Sequence, residues 1–205
     1  NRDEFWDVFF QYNNKPLPGS FLKAGITFLG NQPENINRNI DYKKALDYLK
    51  KETALFPDNI QAQVGYTSLL LDLQKIDFKK YSGLMENILK KNYDKSNEND
   101  IRAVSRALKT LNKKNEAEKI ELEFSKAYPQ SQLAEEIYMA DLAKANSLDN
   151  FSEGILEYLS KFPVNDNRER MYSALVSGYL QAGKSEEVVE ILNKKDSITI
   201  YCRKV

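Results

Sequence analysis

The sequence predicts an all-α protein, an α-solenoid of about five antiparallel helix pairs with a short N-terminal aromatic strand or extension. Three observations predict it. Aromatic–proline pairs recur at Phe56-Pro57, Tyr128-Pro129 and Phe162-Pro163, the last two prolines 34 residues apart and the first two 72, or twice 36. Apolar residues precede each pair at spacings of three and four, which is one face of a helix. Helix-capping residues follow each pair. A period of this size marks stacked helical units, each too small to bury its apolar face alone.

Residues 1–18 read as an N-terminal extension or the end of an upstream β domain. Phe5, Trp6, Val8, Phe9, Phe10 and Tyr12 form a dense aromatic run, Asn13-Asn14 tolerates positive φ, and Pro16, Pro18 and Gly19 read as a linker. A strand is the preferred reading, with a helix on the spacing 5, 8, 9, 12 as the alternative. A lone strand is unstable, so it would close a β domain or dock on the first helix pair.

The repeat domain then covers 19–196. Its pairs are 19–30 with 40–55, 60–73 with 77–91, 97–111 with 114–127, 132–145 with 149–161, and 167–182 with 185–194. A long loop, Asn31–Arg38, expands the first unit. Ala45, Tyr48, Leu49 and Leu55 lead to Phe56; Tyr81, Leu84, Ile88 and Leu89 lead to Tyr93. Ala117, Ile120 and Phe124 lead to Tyr128; Phe151, Ile155, Tyr158 and Leu159 lead to Phe162. Tyr93-Asp94 stands where a unit has lost its proline. Elsewhere Pro ends the helix, since it lacks an N–H and clashes with the preceding turn. Asp58-Asn59, Ser96-Asn97, Ser131 and Asp166 can each open the next helix. Residues 197–205 are a tail in which Ser197–Cys202 alternates like a short strand.

These units resemble tetratricopeptide repeats. Asp41-Tyr42-Lys43-Lys44-Ala45-Leu46 is similar to the start of a second repeat helix, and Ala45 and Ala117 each lie twelve residues before their Pro. Gly183-Lys184-Ser185-Glu186-Glu187-Val188 resembles the turn and second helix of a final unit. Phe151 departs from the pattern by standing in a small-residue place. The run Phe5–Tyr12, Lys15-Pro16-Leu17-Pro18-Gly19 and the unit 43–59 also resemble the helical region of extracytoplasmic bacterial thioredoxin-like proteins. That likeness implies an accessory region of a thiol-disulfide oxidoreductase whose catalytic domain lies outside this chain, and it leans the location towards extracytoplasmic.

Composition narrows the chemistry. Of 205 residues, 41% are hydrophobic and 29% charged, enough for a sizeable core. Lys+Arg and Asp+Glu balance at 30 each, so neither a nucleic-acid nor an anionic-membrane partner is expected. There is no His and a single Cys, Cys202. Ser-His-Asp and Cys-His nucleophiles, His/Cys zinc sites and CxxC redox pairs are therefore unavailable. No catalytic, metal or cofactor residues are assigned, and no cofactor is expected. No apolar run reaches membrane-spanning length. The start at Asn1, without Met or a signal pattern, reads as a segment of something larger, so the compartment is not written in the sequence.

Two motifs are set aside. Gly178 to Ser185 matches GxxxxGK[ST], but Tyr179, Leu180 and Gln181 are bulky where a phosphate loop must be bare. Glu186-Glu187 would also oppose an anion at the helix start. Glu135-Glu136 and Glu116, Glu118, Glu121 and Glu123 lie along single helices rather than facing across a cleft. The candidate binding residues are Arg102, Arg106 and Lys109 on one helix, and Arg170, Ser173 and Ser177, with Tyr172 as an aromatic neighbour, on another. In the resembled family such helices line the concave surface. The expected function is a noncatalytic interaction or scaffold module. Its concave face would take a peptide or a partner domain, including adjacent domains of the same polypeptide.

Overall fold

The computed structural model describes residues 2–13, 15–29, 40–162 and 166–192. Every regular element among them is an α-helix, in the order α1 (Arg2–Tyr12), α2 (Ser20–Phe28), α3 (Tyr42–Leu55), α4 (Ile60–Asp72), α5 (Phe78–Leu89), α6 (Glu98–Thr110), α7 (Lys114–Ala127), α8 (Gln132–Leu142), α9 (Leu148–Lys161) and α10 (Asp166–Gln181), with a further helix, α11, over 185–192. The chain forms two compact units, Asn1–Phe124 and Ser125–Val205. The loop Asn31–Arg38, Pro163 and the alternating segment Ser197–Cys202 lie outside the described residues.

The expected N-terminal strand is corrected: residues 2–12 are helical. The packing of side chains explains this. Trp6 is buried, and Phe10 stacks on Phe21 of α2 at 4.2 Å between ring centroids and on Tyr48 of α3 at 5.5 Å. A helix places residues 6 and 10 on one face to reach that aromatic cluster, an arrangement worth more than the β propensity of the same residues.

Helix starts follow the expected chemistry. The side chains of Asn59, Asn97 and Ser131 accept backbone N–H bonds in the first turns of α4, α6 and α8. Asp41, Asp77 and Ser147 do the same for α3, α5 and α9. At the unit without proline, Asp94 accepts from Ser96 N at 2.8 Å and Ser96 Oγ at 2.6 Å, a side-chain turn that reverses the chain instead. Those bonds hold its carboxyl below the usual carboxylate range.

One helix ending recurs at α4, α6 and α10. Gln74, Asn112 and Gly183 adopt left-handed φ of 55°, 61° and 72°. In each case the next residue's N–H returns to a carbonyl five residues back: Lys75 to Leu70, Lys113 to Leu108 and Lys184 to Tyr179, all at 2.9 Å. This is the Schellman turn, in which glycine avoids the steric cost that a side chain bears. We therefore expect Gln74→Gly to raise stability by about 1 kcal/mol and Gly183→Ala to lower it by a similar amount. Urea denaturation checks both signs.

The first unit has two cores. Ala24, Phe28, Ala45, Leu49, Ala62 and Leu69 pack with Trp6, while Val64, Tyr81, Met85, Val104, Ala107 and Ala117 form the second. Both small residues singled out by the repeat, Ala45 and Ala117, are fully buried. α2 and α3 approach closely at Gly25, where a Cβ would lie 2.9 Å from Leu49 Cγ and 3.3 Å from the Ala45 carbonyl oxygen. In the second unit Ile155, Tyr158, Leu159, Phe162, Tyr172 and Leu175 form the core.

Tyr138 of that unit donates to the Gly154 carbonyl at 3.0 Å. Burial first, and then the neighbouring Glu157 carboxylate, push its pKa up to about 12. An unfolded tyrosine titrates near 10. The unfolded chain thus releases this proton first, and stability is lost as pH rises from about 10 towards about 12. The loss measured between pH 9 and pH 11 should be smaller in Tyr138→Phe.

Candidate binding surface

In the first unit, the first helices of three successive pairs, α2, α4 and α6, share a groove of about 780 Å³. Its lining is mixed, apolar at Leu22, Ile26, Leu55 and Pro57 and polar at Lys23, Asp58, Gln61, Asn99 and Asp100. Gln61 Nε2 donates to Asp100 Oδ1 at 2.6 Å, tying α4 to α6. Asp100 Oδ2 also accepts from the Asp94 N–H at 3.2 Å. Asn99, Arg102 and Arg106 stand three and four residues apart, so a polar line continues from the groove along one face of α6.

One wall of this groove rests on a buried carboxylate. Glu52 of α3 is fully buried and accepts from Gly19 N at 2.6 Å, Phe21 N at 3.1 Å, Leu22 N at 3.3 Å and Asn59 Nδ2 at 2.8 Å. It caps α2 from another element: Gly19, at φ 88°, supplies no side-chain cap of its own. Negative charge there also complements the α2 dipole. Sequence reading missed this residue, since a Glu inside a helix ordinarily faces solvent. The available signal was the uncapped start Gly19-Ser20.

The candidate residues fall as follows. Arg102 is partly buried and pairs with Glu98 at 2.7 Å, and Lys109 pairs with Glu121 of α7 at 2.6 Å. Glu121 also accepts from Ser105 Oγ. Arg106 is exposed. On α10, Arg170, Ser173 and Ser177 are exposed along one line. Tyr172 departs from its expected place: it is 6% exposed and packs in the second core against Ile155, Tyr158 and Leu175. It is a core residue, turned inward by the same stripe that buries Leu175.

A second carboxylate holds structure in the second unit. Glu135 of α8 is buried and accepts from Tyr158 Oη at 2.5 Å and Asn167 Nδ2 at 2.9 Å. Among the described residues no group of His, Cys, Asp and Glu could hold a metal, and no helix is long and apolar enough to cross a membrane. The GxxxxGK[ST] match is a helix end. Gly178 lies inside α10, and the Gly183 and Lys184 N–H groups are already bonded to Leu180 and Tyr179 carbonyls.

No family model and no curated protein matches the sequence. Two similar solved structures are human. The IFIT1 dimer with PPP-AAAA is 16% identical with a TM-score of 0.48, the match covering 92% of this chain and 44% of that one. The IFIT1 dimer with m7Gppp-AAAA is 15% identical with a TM-score of 0.47, over the same shares. This chain thus spans less than half the length of those proteins. The fold is a tetratricopeptide-like helical one. The thioredoxin-like resemblance gains no support. The exclusion of a nucleic-acid partner is corrected, because those helical structures were solved with PPP-AAAA and m7Gppp-AAAA. Net charge sums over a whole surface, whereas binding depends on the local arrangement of charge.

Proposed function

We propose that this chain is a noncatalytic interaction module that holds an extended peptide or a partner domain against the shared face of α2, α4 and α6. The groove across those three helices carries the reading. Its apolar lining suits side-chain anchors, and its amide and charged groups suit a peptide backbone, the usual division of labour in a recognition site. Arg106 extends the polar line of Asn99 and Arg102 along α6, and Lys109 follows three residues on. The lack of His in the sequence supports the noncatalytic reading, as does the structural employment of Glu52, Glu121 and Glu135.

A photo-crosslinking side chain at position 106 tests this, with Lys119, an exposed residue of α7, as the control position. A partner captured from 106 and not from 119 is the expected result; equal capture, or none, overturns it. Lys23→Glu, on the polar side of the groove, should weaken capture from position 106 while changing stability by less than about 0.5 kcal/mol, because the side chain is exposed.

A further inference from the structure

We propose that the outward face of α1 is a docking site for a basic amphipathic helix of a partner polypeptide. α1 has two apolar faces. One, through Trp6 and Phe10, is used by the aromatic core described above. The other consists of Phe5, Val8 and Tyr12, which are 60%, 51% and 80% exposed. With Glu4 and Phe9 they line a shallow groove of about 510 Å³. Phe5 also stacks on Phe9, with ring centroids 6.2 Å apart, so the exposed face is braced from within the unit.

The spacing defines the form of the occupant. Residues at i, i+3 and i+7 make a stripe about 10 Å long at about 1.5 Å rise per residue. That is two helical turns, the length over which a second helix lays its own i, i+3, i+4 and i+7 anchors. Stacked helical units normally turn a polar face outward where no neighbour follows, and scattered surface hydrophobes are commonplace. Here three large ones are contiguous on one helix.

Charge then selects among occupants. The charged side chains described on α1, Glu4 and Asp7, are exposed and both acidic. A second copy meeting this face through its own α1 would set acid against acid, and an anionic lipid surface would be repelled in the same way. A helix with aliphatic anchors flanked by Lys or Arg satisfies both the apolar stripe and the acidic flank.

The test uses the whole chain and two dye-labelled synthetic helices of about four turns with identical leucine positions, one with lysine on its polar face and one with glutamate. Fluorescence anisotropy should show the leucine–lysine helix binding at least about tenfold more tightly than the leucine–glutamate helix, and Val8→Lys removing at least about tenfold of that affinity. Val8 is exposed, so the variant should retain its circular dichroism, which is checked first. Equal binding of the two helices, no binding of either, or affinity unchanged in Val8→Lys overturns the proposal. So does a dimer in sedimentation, or adsorption to phosphatidylserine vesicles, that Val8→Lys abolishes.

Discussion

Glu52→Ala should lower the stability of the first unit by about 3 kcal/mol, among the largest effects of any single substitution in it. The change does not remove one contact; it leaves the Gly19, Phe21 and Leu22 N–H groups and the Asn59 amide without their acceptor, those of Phe21 and Leu22 buried and the other two partly so. Each buried donor left unpaired costs about 1–3 kcal/mol, and partial hydration after relaxation keeps the total below the plain sum. Glu52→Gln keeps one acceptor oxygen and should fall between the two. Trp6 is the single tryptophan and sits in the same aromatic core, so its fluorescence in urea reports on this unit. A Glu52→Ala midpoint equal to that of the parent chain would refute the capping role.

The second large effect is expected at Gly25. In Gly25→Val, the new Cβ meets Leu49 Cγ at 2.9 Å and the Ala45 carbonyl oxygen at 3.3 Å. Contact with a backbone oxygen cannot be relieved by rotating a side chain, so α2 and α3 must separate. Overpacking of this kind costs about 1–3 kcal/mol, and separating the two helices also thins the core behind them. Gly25→Ala should cost less, because alanine recovers about 1 kcal/mol of helix propensity. Leu49→Ala in the valine background gives the decisive measurement. If the clash is with Leu49, the double mutant is less destabilised than the sum of the two singles by at least about 1 kcal/mol.

Helix periodicity was readable because it is local. The expected segments 60–73, 97–111 and 132–145 correspond to α4, α6 and α8 within a few residues, since caps and proline act on neighbours along the chain. The strand reading of residues 5–12 failed because Phe, Trp, Tyr and Val favour strands one by one. Only the distant Phe21 and Tyr48 decide that residues 6 and 10 must point the same way. Distance along the chain also hid the fate of the basic stripe. Glu98 lies four residues from Arg102 and its pairing is legible, whereas Glu121 reaches Lys109 from the next helix. The groove itself is assembled from segments as far apart in sequence as Pro18 and Asp100, so no short window along the chain contains it.

The carboxylate of Glu52 has a consequence for motion. Amides in the first turn of a helix ordinarily exchange with solvent hydrogen almost at once, because they have no carbonyl within the helix to hold them. At the start of α2 the Phe21 and Leu22 amides are held by a side chain rooted in α3. Fraying of α2 alone does not expose them; the two helices must part. Their exchange rate therefore measures the opening of the first pair, and slow deuterium uptake at these two positions would set a lower bound on the free energy of that opening.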